Sequence, residues 1–473
     1  INKLKKSIIP IYEPGLEELV KKNYKAGRLN FSSNLAESVK KSNIIFICVG
    51  TPTKKNKYEA DLSYVYSVAK EIRKNIKSFK IIINKSTVPV TTGDVVEKII
   101  SKNVKKNLFS VVSNPEFLRE GEAIRDFIYP DRIVIGTLDK KSKKILKNLY
   151  SPLISKGANF INTSRRAAEL IKYASNAFLA TKITFINELA NLCEKLEINV
   201  EDVSIGIGTD KRIGGRFLRA GPPYGGSCFP KDTRALVHTS DKSKIPLSLV
   251  RTVINSNEKR SELLLNRIKS ILKNKIKNKK ITFLGVTFKA NTDDMRDSSS
   301  LKMIPALSKK GAIIKYYDPT GFKKEFSKIK NVFNANSIKQ SLENSDLVII
   351  HTEWNDFKSI NFKNLVKGKN VSESTSISEK NLGSKLTITS GFQLSQVATP
   401  PDITLIDHTQ GAATTGWTNT WQKFTPDRNA PLAGIFIKLE NPNANSYNLA
   451  LEIYASDDDA TAVNPNNKFL IYN

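Results

Sequence analysis

Cysteine and histidine are scarce, with three of each in 473 residues. Cys48, Cys193 and Cys228 are too few and too far apart for a disulfide framework, and their spacing is not that of a zinc site. His238, His351 and His408 are as scattered, which argues against histidine-based catalysis. No apolar run approaches the ~20 residues that a bilayer crossing needs. The opening "INKLKKSIIP" has no starting methionine and no apolar stretch of signal-peptide length. These absences point to a protein of the reducing cytoplasm, off the membrane and without a metal.

Acidic residues are also under-represented: 45 Asp and Glu stand against 75 Lys and Arg, for a net charge of +30. Such a balance invites a nucleic-acid partner. The lysines, however, are spread along helical faces such as "KKSKKILKNL" and "KSILKNKIKNKK" with few aromatics between them. A solvated surface is the better reading, no nucleic acid is expected, and the charge merely suits an anionic substrate. The excess is uneven. Residues 371–473 hold six basic and ten acidic groups, a balance of −4, which leaves +34 in the first 370. Two differently composed pieces meet near residue 370.

A chain this long needs more than one core. "NIIFICVG" (43–50), "KIIINKS" (80–86), "FSVVSN" (109–114) and "RIVIGT" (132–137) are short apolar runs rich in β-branched residues. Strands buried on both faces of a parallel sheet read this way. Amphipathic segments such as "ADLSYVYSVAKEIRKNI" lie between them, so residues 1–160 predict a doubly wound α/β domain. From Thr163 more than thirty residues pass without Gly or Pro, with Leu170, Ala174, Ala177, Phe178, Phe185, Leu189 and Leu192 at helical spacing. A helix of that length suits a spine between domains or a dimer seam, in a central region spanning 161–262. Strand-like runs at 281–286, 313–317 and 345–354 place a second, smaller α/β domain at 263–370. Residues 371–398 read as a linker. The alternating runs "AGIFIKLEN", "SYNLALEIYAS" and "FLIYN" make 399–473 a β-rich module of no recognised family. The expected fold is α/β: two Rossmann-like domains, the first truncated at its N-terminus, joined by a long central helix and followed by the β-rich module.

The richest chemistry lies in "GPPYGGSCFPKDTRA", residues 221–235. Gly225 and Gly226 allow close backbone approach or positive φ. Cys228 stands within four residues of Lys231 and Asp232, an ammonium that favours thiolate and a carboxylate that can accept a proton. On residues alone a nucleophile and a buried cysteine in a glycine turn are equally served.

The words around it resemble the UDP-glucose/GDP-mannose dehydrogenase family. They are "IPIYEPGLEELV" (9–20), "FICVGTPT" (46–53), "KSTVPVTTGD" (85–94), "SNPEFLREGEAIRDFIYPDRIVIG" (113–136), "AAELIKYASNAFLATKITFINELA" (167–190), "DKRIGGRFLRAGPPYGGSCFPKDTRAL" (210–236) and "FLGVTFKANTDDMRDSSS" (283–300), in the family's order. "GGSCFPKD" with Tyr224 looks like its UDP-glucose branch. The resemblance implies an NAD-dependent four-electron oxidation of UDP-glucose to UDP-glucuronate, for surface polysaccharide. It would pass through a thiohemiacetal and a thioester on Cys228, in a homodimer formed through the central helix. It also implies roles. Lys172 and Asn176, four apart and so on one helix face, would stabilise the reacting oxygen. Asp232 would be the base of the first oxidation, and Glu116 with Thr87 would serve thioester hydrolysis. Glu116, Phe117, Leu118, Arg119, Glu120, Lys172, Asn176, Tyr224, Gly225 and Lys289 would contact the nucleotide sugar, and Arg212 would reach it from a dimer partner. Thr51, Thr87, Glu120, Lys231 and Arg296 would contact NAD.

Two departures stand beside the resemblance. The family's Gly-x-Gly-x-x-Gly unit, which cradles the NAD pyrophosphate on a helix N-terminus, is absent from these residues. Weak or no NAD binding by the chain as written, and an unstable first domain, are therefore expected. The tail is unrelated to the family. An inactive dehydrogenase fragment fused to a binding or adhesion module is accordingly the alternative reading.

Overall fold

The computed structural model describes residues 1–54, 58–358 and 360 in full. Beyond them it describes the backbone of four strands, Thr387–Ser390, Leu432–Asn443, Ser446–Ala455 and Lys468–Ile471. Residues 1–395 form one compact unit and 396–473 another.

The four apolar runs of the first domain become strands β1 (Ile44–Ile47), β2 (Lys80–Asn84), β3 (Phe109–Ser113) and β4 (Arg132–Gly136). A fifth, β5 (Asn159–Thr163), completes a sheet in sequence order. β1, β2 and β3 are parallel, as are β4 and β5, while β3 meets β4 antiparallel through the single pair Ser113–Gly136. Every residue of β2 is buried. One face packs Ile82, Val111 and Ile47 against Val65, Ala69 and Ile72 of helix Ser63–Asn75 and Val96 and Ile100 of helix Thr92–Ser101. The other packs Ile81, Ile83, Ile133 and Ile135 against Leu146 and Tyr150.

Helix Arg165–Lys195 runs 31 residues, about 45 Å at 1.5 Å per residue, with the Ser164 hydroxyl accepting from Ala167 N–H at its start. The buried face is not the stripe that periodicity picked out. Ala168, Tyr173, Ala177, Ala180 and Ile186 are buried, together with the polar Glu169, Lys172, Asn176 and Asn187. Leu170, Phe178, Phe185 and Leu192 are 45, 67, 50 and 54 % exposed in the single chain. The helix is apolar on two sides, and one of them carries the site.

Glu169 ties this helix to the first domain. Its carboxylate accepts from the backbone N–H groups of Thr91 (2.8 Å) and Gly93 (2.8 Å) and from the Ser113 hydroxyl (2.9 Å). The N-terminus of helix Thr92–Ser101 is thereby capped from 76 residues away. A Cβ on Gly93 would stand 2.9 Å from that carboxylate. Burial pushes Glu169 up from 4.5 to about 7 despite these donors. The native state therefore binds more protons than the unfolded chain between those values. The associated stability is full below about pH 4.5 and is lost as pH rises through about 7, on the order of 3 kcal/mol for one such group. Glu169→Gln should flatten the rise of the wild-type thermal midpoint on acidification from pH 8 to pH 5.5. An unchanged slope would remove Glu169 as its source.

Helix Ser248–Ile271 leads to the second α/β layer. Strands β6 (Lys280–Leu284), β7 (Ile313–Tyr317), β8 (Val332–Asn334), β9 (Leu347–Ile350) and β10 (Thr387–Ser390) are parallel, in the order β10-β9-β6-β7-β8. Phe283, Ile314, Tyr316 and Met303 are in its core. In the second unit, β11 (Leu432–Asn443), β12 (Ser446–Ala455) and β13 (Lys468–Ile471) pair antiparallel. Trp417 and Trp421, which by sequence could stack on a sugar ring but more often would form the core of such a β module, lie outside the described residues.

Candidate active site

The cysteine turn is fixed from behind by two helices. Asn187 accepts from Gly221 N–H (2.7 Å) and donates to the Pro222 carbonyl (3.2 Å). Asn257 brackets Tyr224, accepting from its N–H (2.8 Å) and donating to its carbonyl (3.0 Å). The buried Arg260 guanidinium donates to the Gly221 carbonyl at 3.1 Å. From the front the turn meets the loop after β6. Gly226 N–H donates to the Arg296 carbonyl (2.8 Å), and a Cβ on Gly225 would stand 2.5 Å from the Asp297 carbonyl oxygen. Gly226 has φ +78°, and a Cβ there would lie 2.7 Å from the Phe288 ring. Both glycines are therefore required by space, and Gly226 also by its backbone conformation. Gly226→Ala should destabilise the folded chain by about 2 kcal/mol or more and displace Cys228. A thermal midpoint and activity equal to wild type would contradict the packing described.

Cys228 occupies the residue before the first turn of helix Phe229–Lys242, which puts Asp232 one turn along. Asp232 is fully buried and accepts from Asn176 Nδ2 at 2.6 Å and Lys231 Nζ at 2.5 Å. Lys172, one turn before Asn176 on the central helix, is buried and lies 3.1 Å from Glu116 Oε1. The other Glu116 oxygen accepts from Leu118 N–H at 2.6 Å. Phe117 closes one side, its ring 5.2 Å from Lys172 Nζ and 4.0 Å from the Arg132 guanidinium. Three elements thus deliver one thiol, two carboxylates, two ammonium groups and an amide into one small buried region. Cations and an amide donor aimed at such a place stabilise a developing oxyanion, and the carboxylates can take protons.

The thiol itself departs from expectation. Burial leads in raising Cys228 above its usual value; Asp232 and Glu116 add to the rise, and Ser227 and Lys172 only oppose it. Lys231, the ammonium that the sequence placed near the sulfur, is spent on Asp232. The surroundings of Cys228 therefore favour the thiol over the thiolate.

The other expected residues lie in the loops around this cluster or apart from it. Thr51 Oγ1 donates to the Thr87 carbonyl at 2.8 Å, joining the loops after β1 and β2. Glu120 accepts from Thr292 Oγ1 (3.2 Å) and lies 3.9 Å from Arg296, whose guanidinium is held by Asp294 at 2.8 Å. Burial raises Glu120, with Asp294 adding to it. Lys289 is lowered by burial and faces Glu122 and Glu120. The Arg119 guanidinium is engaged by Asp126 (2.7 Å) and Glu122 (2.6 Å), so its side chain is committed within the chain. Arg212 is exposed, paired only with its neighbour Asp210 at 2.6 Å among the described residues, and joins no part of the cluster in this chain. Tyr224 is buried with its ring edge-on to Phe229 at 6.1 Å, and burial pushes it up to about 12. Sequence reasoning gave no role to Lys85, Asn114 or Ser227. Lys85 heads "KSTVP" at the end of β2, and that position at a strand's carboxyl end was the available signal.

Comparison with known proteins agrees along most of the chain. Residues 1–154 match the NAD binding domain of the UDP-glucose/GDP-mannose dehydrogenase family, 166–259 its central domain and 282–379 its UDP binding domain. The chain is 48 % identical over 367 residues to a UDP-glucose 6-dehydrogenase of Rhizobium meliloti, covering 77 % of this chain and 84 % of that one. It is 43 % identical over 373 residues to the UDP-glucose 6-dehydrogenase TuaD of Bacillus subtilis, covering 78 % and 79 %. A solved UDP-glucose dehydrogenase from Pyrobaculum islandicum superposes with a TM-score of 0.75 at 32 % identity, over 84 % of this chain and 87 % of that one.

Proposed function

The chain belongs to the UDP-glucose/GDP-mannose dehydrogenase family, and on that premise we propose how its own residues work. It is an NAD-dependent oxidoreductase that converts UDP-glucose to UDP-glucuronate. The observation that carries the reading is the convergence of Cys228, Asp232, Asn176, Lys172 and Glu116 from three separate elements.

The loops after the parallel strands β1 and β2 would meet part of a dinucleotide, the Gly-x-Gly-x-x-Gly cradle for its pyrophosphate being absent from these residues. They offer the hydroxyls of Thr51 and Thr87 at strand carboxyl ends, and the backbone at Gly50 faces open space. Thr51, Thr87 and Glu120 would hold the cofactor, with Lys231 and Arg296 as its cations. When bound, NAD supplies the hydride acceptor for each oxidation at C6 of the sugar.

Asp232 takes the proton of the C6 hydroxyl, through a water, as the alcohol becomes an aldehyde. Lys172 and Asn176 hold the C6 oxygen and stabilise its negative charge in every step. Once Asp232 has released that proton to solvent through the same water, Cys228 adds to the aldehyde carbon, its own proton passing to Asp232 as the carbon–sulfur bond forms and the carbonyl electron pair moves onto the C6 oxygen. Oxidation of this thiohemiacetal leaves a thioester on the sulfur. Glu116, with Thr87 placing the water, accepts the proton of the attacking water, and the sulfur leaves as the product carboxyl forms. Lys289, Tyr224, Gly225 and the backbone of Phe117, Leu118 and Glu120 meet the nucleotide sugar, and Arg119 acts from behind them by fixing this loop to Asp126.

The exposed Phe178, Phe185 and Leu192, seven residues apart, give the central helix an apolar seam that a second copy would cover. In that homodimer, Arg212 of each chain serves the other's site. We place the enzyme in the cytoplasm, where the unpaired Cys48, Cys193 and Cys228 stay reduced, and its uronate product serves polysaccharide synthesis. The test is NADH formation by the purified chain with UDP-glucose, GDP-mannose and UDP-N-acetylmannosamine. UDP-glucose should lead in kcat/KM by about tenfold or more, the scale on which a fitted sugar pocket discriminates. Equal use of all three would remove the substrate assignment.

A further inference from the structure

Lys85 is an unusual residue for the end of a buried strand. Its N–H closes the β1–β2 ladder on the Ile47 carbonyl at 3.0 Å. Its side chain turns inward, where Nζ donates to Asn114 Oδ1 at 3.2 Å. Asn114 has no freedom to turn. Its N–H donates to the Asn84 carbonyl (2.9 Å), its Nδ2 donates to the Val134 carbonyl (2.9 Å), and its Oδ1 also accepts from the Tyr150 hydroxyl (2.5 Å). The amide is locked with its oxygen toward the amine. The charged or titratable groups near enough to act on Lys85 are Glu116 after β3, Lys172 on the central helix and Cys48 after β1, none of them in an ion pair with it at rest. Burial leads in lowering its ammonium to about 8, with Glu116 and Cys48 opposing and Lys172 assisting.

Glu116 is held at rest by Lys172. The reaction, however, asks Lys172 to serve the sugar's C6 oxygen, which leaves the carboxylate that must take a proton from water without its cation. Resting on the functional reading above, we propose that Lys85 is a positioning residue for thioester hydrolysis: aimed by Asn114, its ammonium holds the Glu116 carboxylate while Lys172 attends the reacting oxygen. In the step it supports, a water oxygen bonds to the acyl carbon and the water's proton goes to Glu116. The carbon–sulfur bond then breaks, sulfur keeps the electron pair, and the product acid and the Cys228 thiolate separate.

The experiment compares wild type, Lys85→Met and Lys85→Arg for NADH formation from UDP-glucose between pH 6 and 9.5, with intact-mass analysis of the enzyme during turnover. Lys85→Met should lower kcat about tenfold or more, within the range of proton-transfer effects, while KM for UDP-glucose stays within about threefold. The acyl adduct should accumulate on Cys228. Lys85→Arg should recover most of the rate at pH 7 and carry the fall in kcat that wild type shows above about pH 8 upward by a unit or more, because a guanidinium keeps its proton there. A loss in Lys85→Met without adduct, or an alkaline fall unmoved in Lys85→Arg, overturns the proposal. Absence of NADH formation by wild type would instead overturn the functional reading, so the two failures are told apart.

Discussion

Cys228→Ala should abolish UDP-glucuronate formation, with a loss of at least about 10³-fold in kcat, the scale on which removal of a covalent nucleophile is felt. The side chain lost is small, and the turn that carries it is held by Asn187, Asn257 and Arg260 rather than by the sulfur. The fold should therefore survive, with a thermal midpoint close to wild type. What disappears is the covalent holding of the aldehyde. Cys228→Ser is the sharper variant, because an alkoxide is a far poorer leaving group than a thiolate. It should arrest at the acyl stage if the hydroxyl adds at all. A Cys228→Ala enzyme that still makes the uronic acid at more than a tenth of the wild-type rate would remove the covalent route.

Asp232→Asn should cost about 10²–10⁴ in kcat, the range for loss of a positioned acid or base. Asp232 is wholly buried and accepts from Asn176 and from Lys231. Replacing it with an amide keeps the shape and an acceptor oxygen for Asn176, and removes two things at once: the proton acceptor beside Cys228 and the counter-charge of Lys231. The freed Lys231 ammonium would then lie near the sulfur without a carboxylate between them. Asp232 is one of the groups that raise the thiol, so the variant's Cys228 should react with iodoacetamide at lower pH than wild type even as turnover collapses. Slower turnover and earlier alkylation together are the signature. Slower turnover with unchanged alkylation would mean that Asp232 acts on the substrate alone.

How much was legible in the sequence differs by element. Apolar runs such as "KIIIN" announce buried strands because β2 has no exposed face to pattern. β5, "NFINT", lies at the sheet edge, has no buried residue and carries the polar Asn159, Asn162 and Thr163, and its composition gave no such signal. The central helix was visible from its unbroken length, but its buried face was not. The polar Glu169, Lys172, Asn176 and Asn187 line that face because each has a partner on another segment, and periodicity counts them as surface. Cys228, Asp232 and Lys172 could be picked out from the glycine turn and the family's words. The state of the thiol could not, since proximity in sequence put Lys231 beside the sulfur while the fold gave it to Asp232. Lys85 was hidden for the same reason: the residue that holds its side chain is Asn114, 29 residues away.

The central claim is that one buried site, built around Cys228, carries out two successive oxidations on the same substrate. The most direct measurement is the ratio of NADH formed to UDP-glucuronate formed in a limited-turnover reaction, with the product identified by mass. The account predicts two NADH for each uronate and no free aldehyde. One NADH for each molecule of released aldehyde would contradict it.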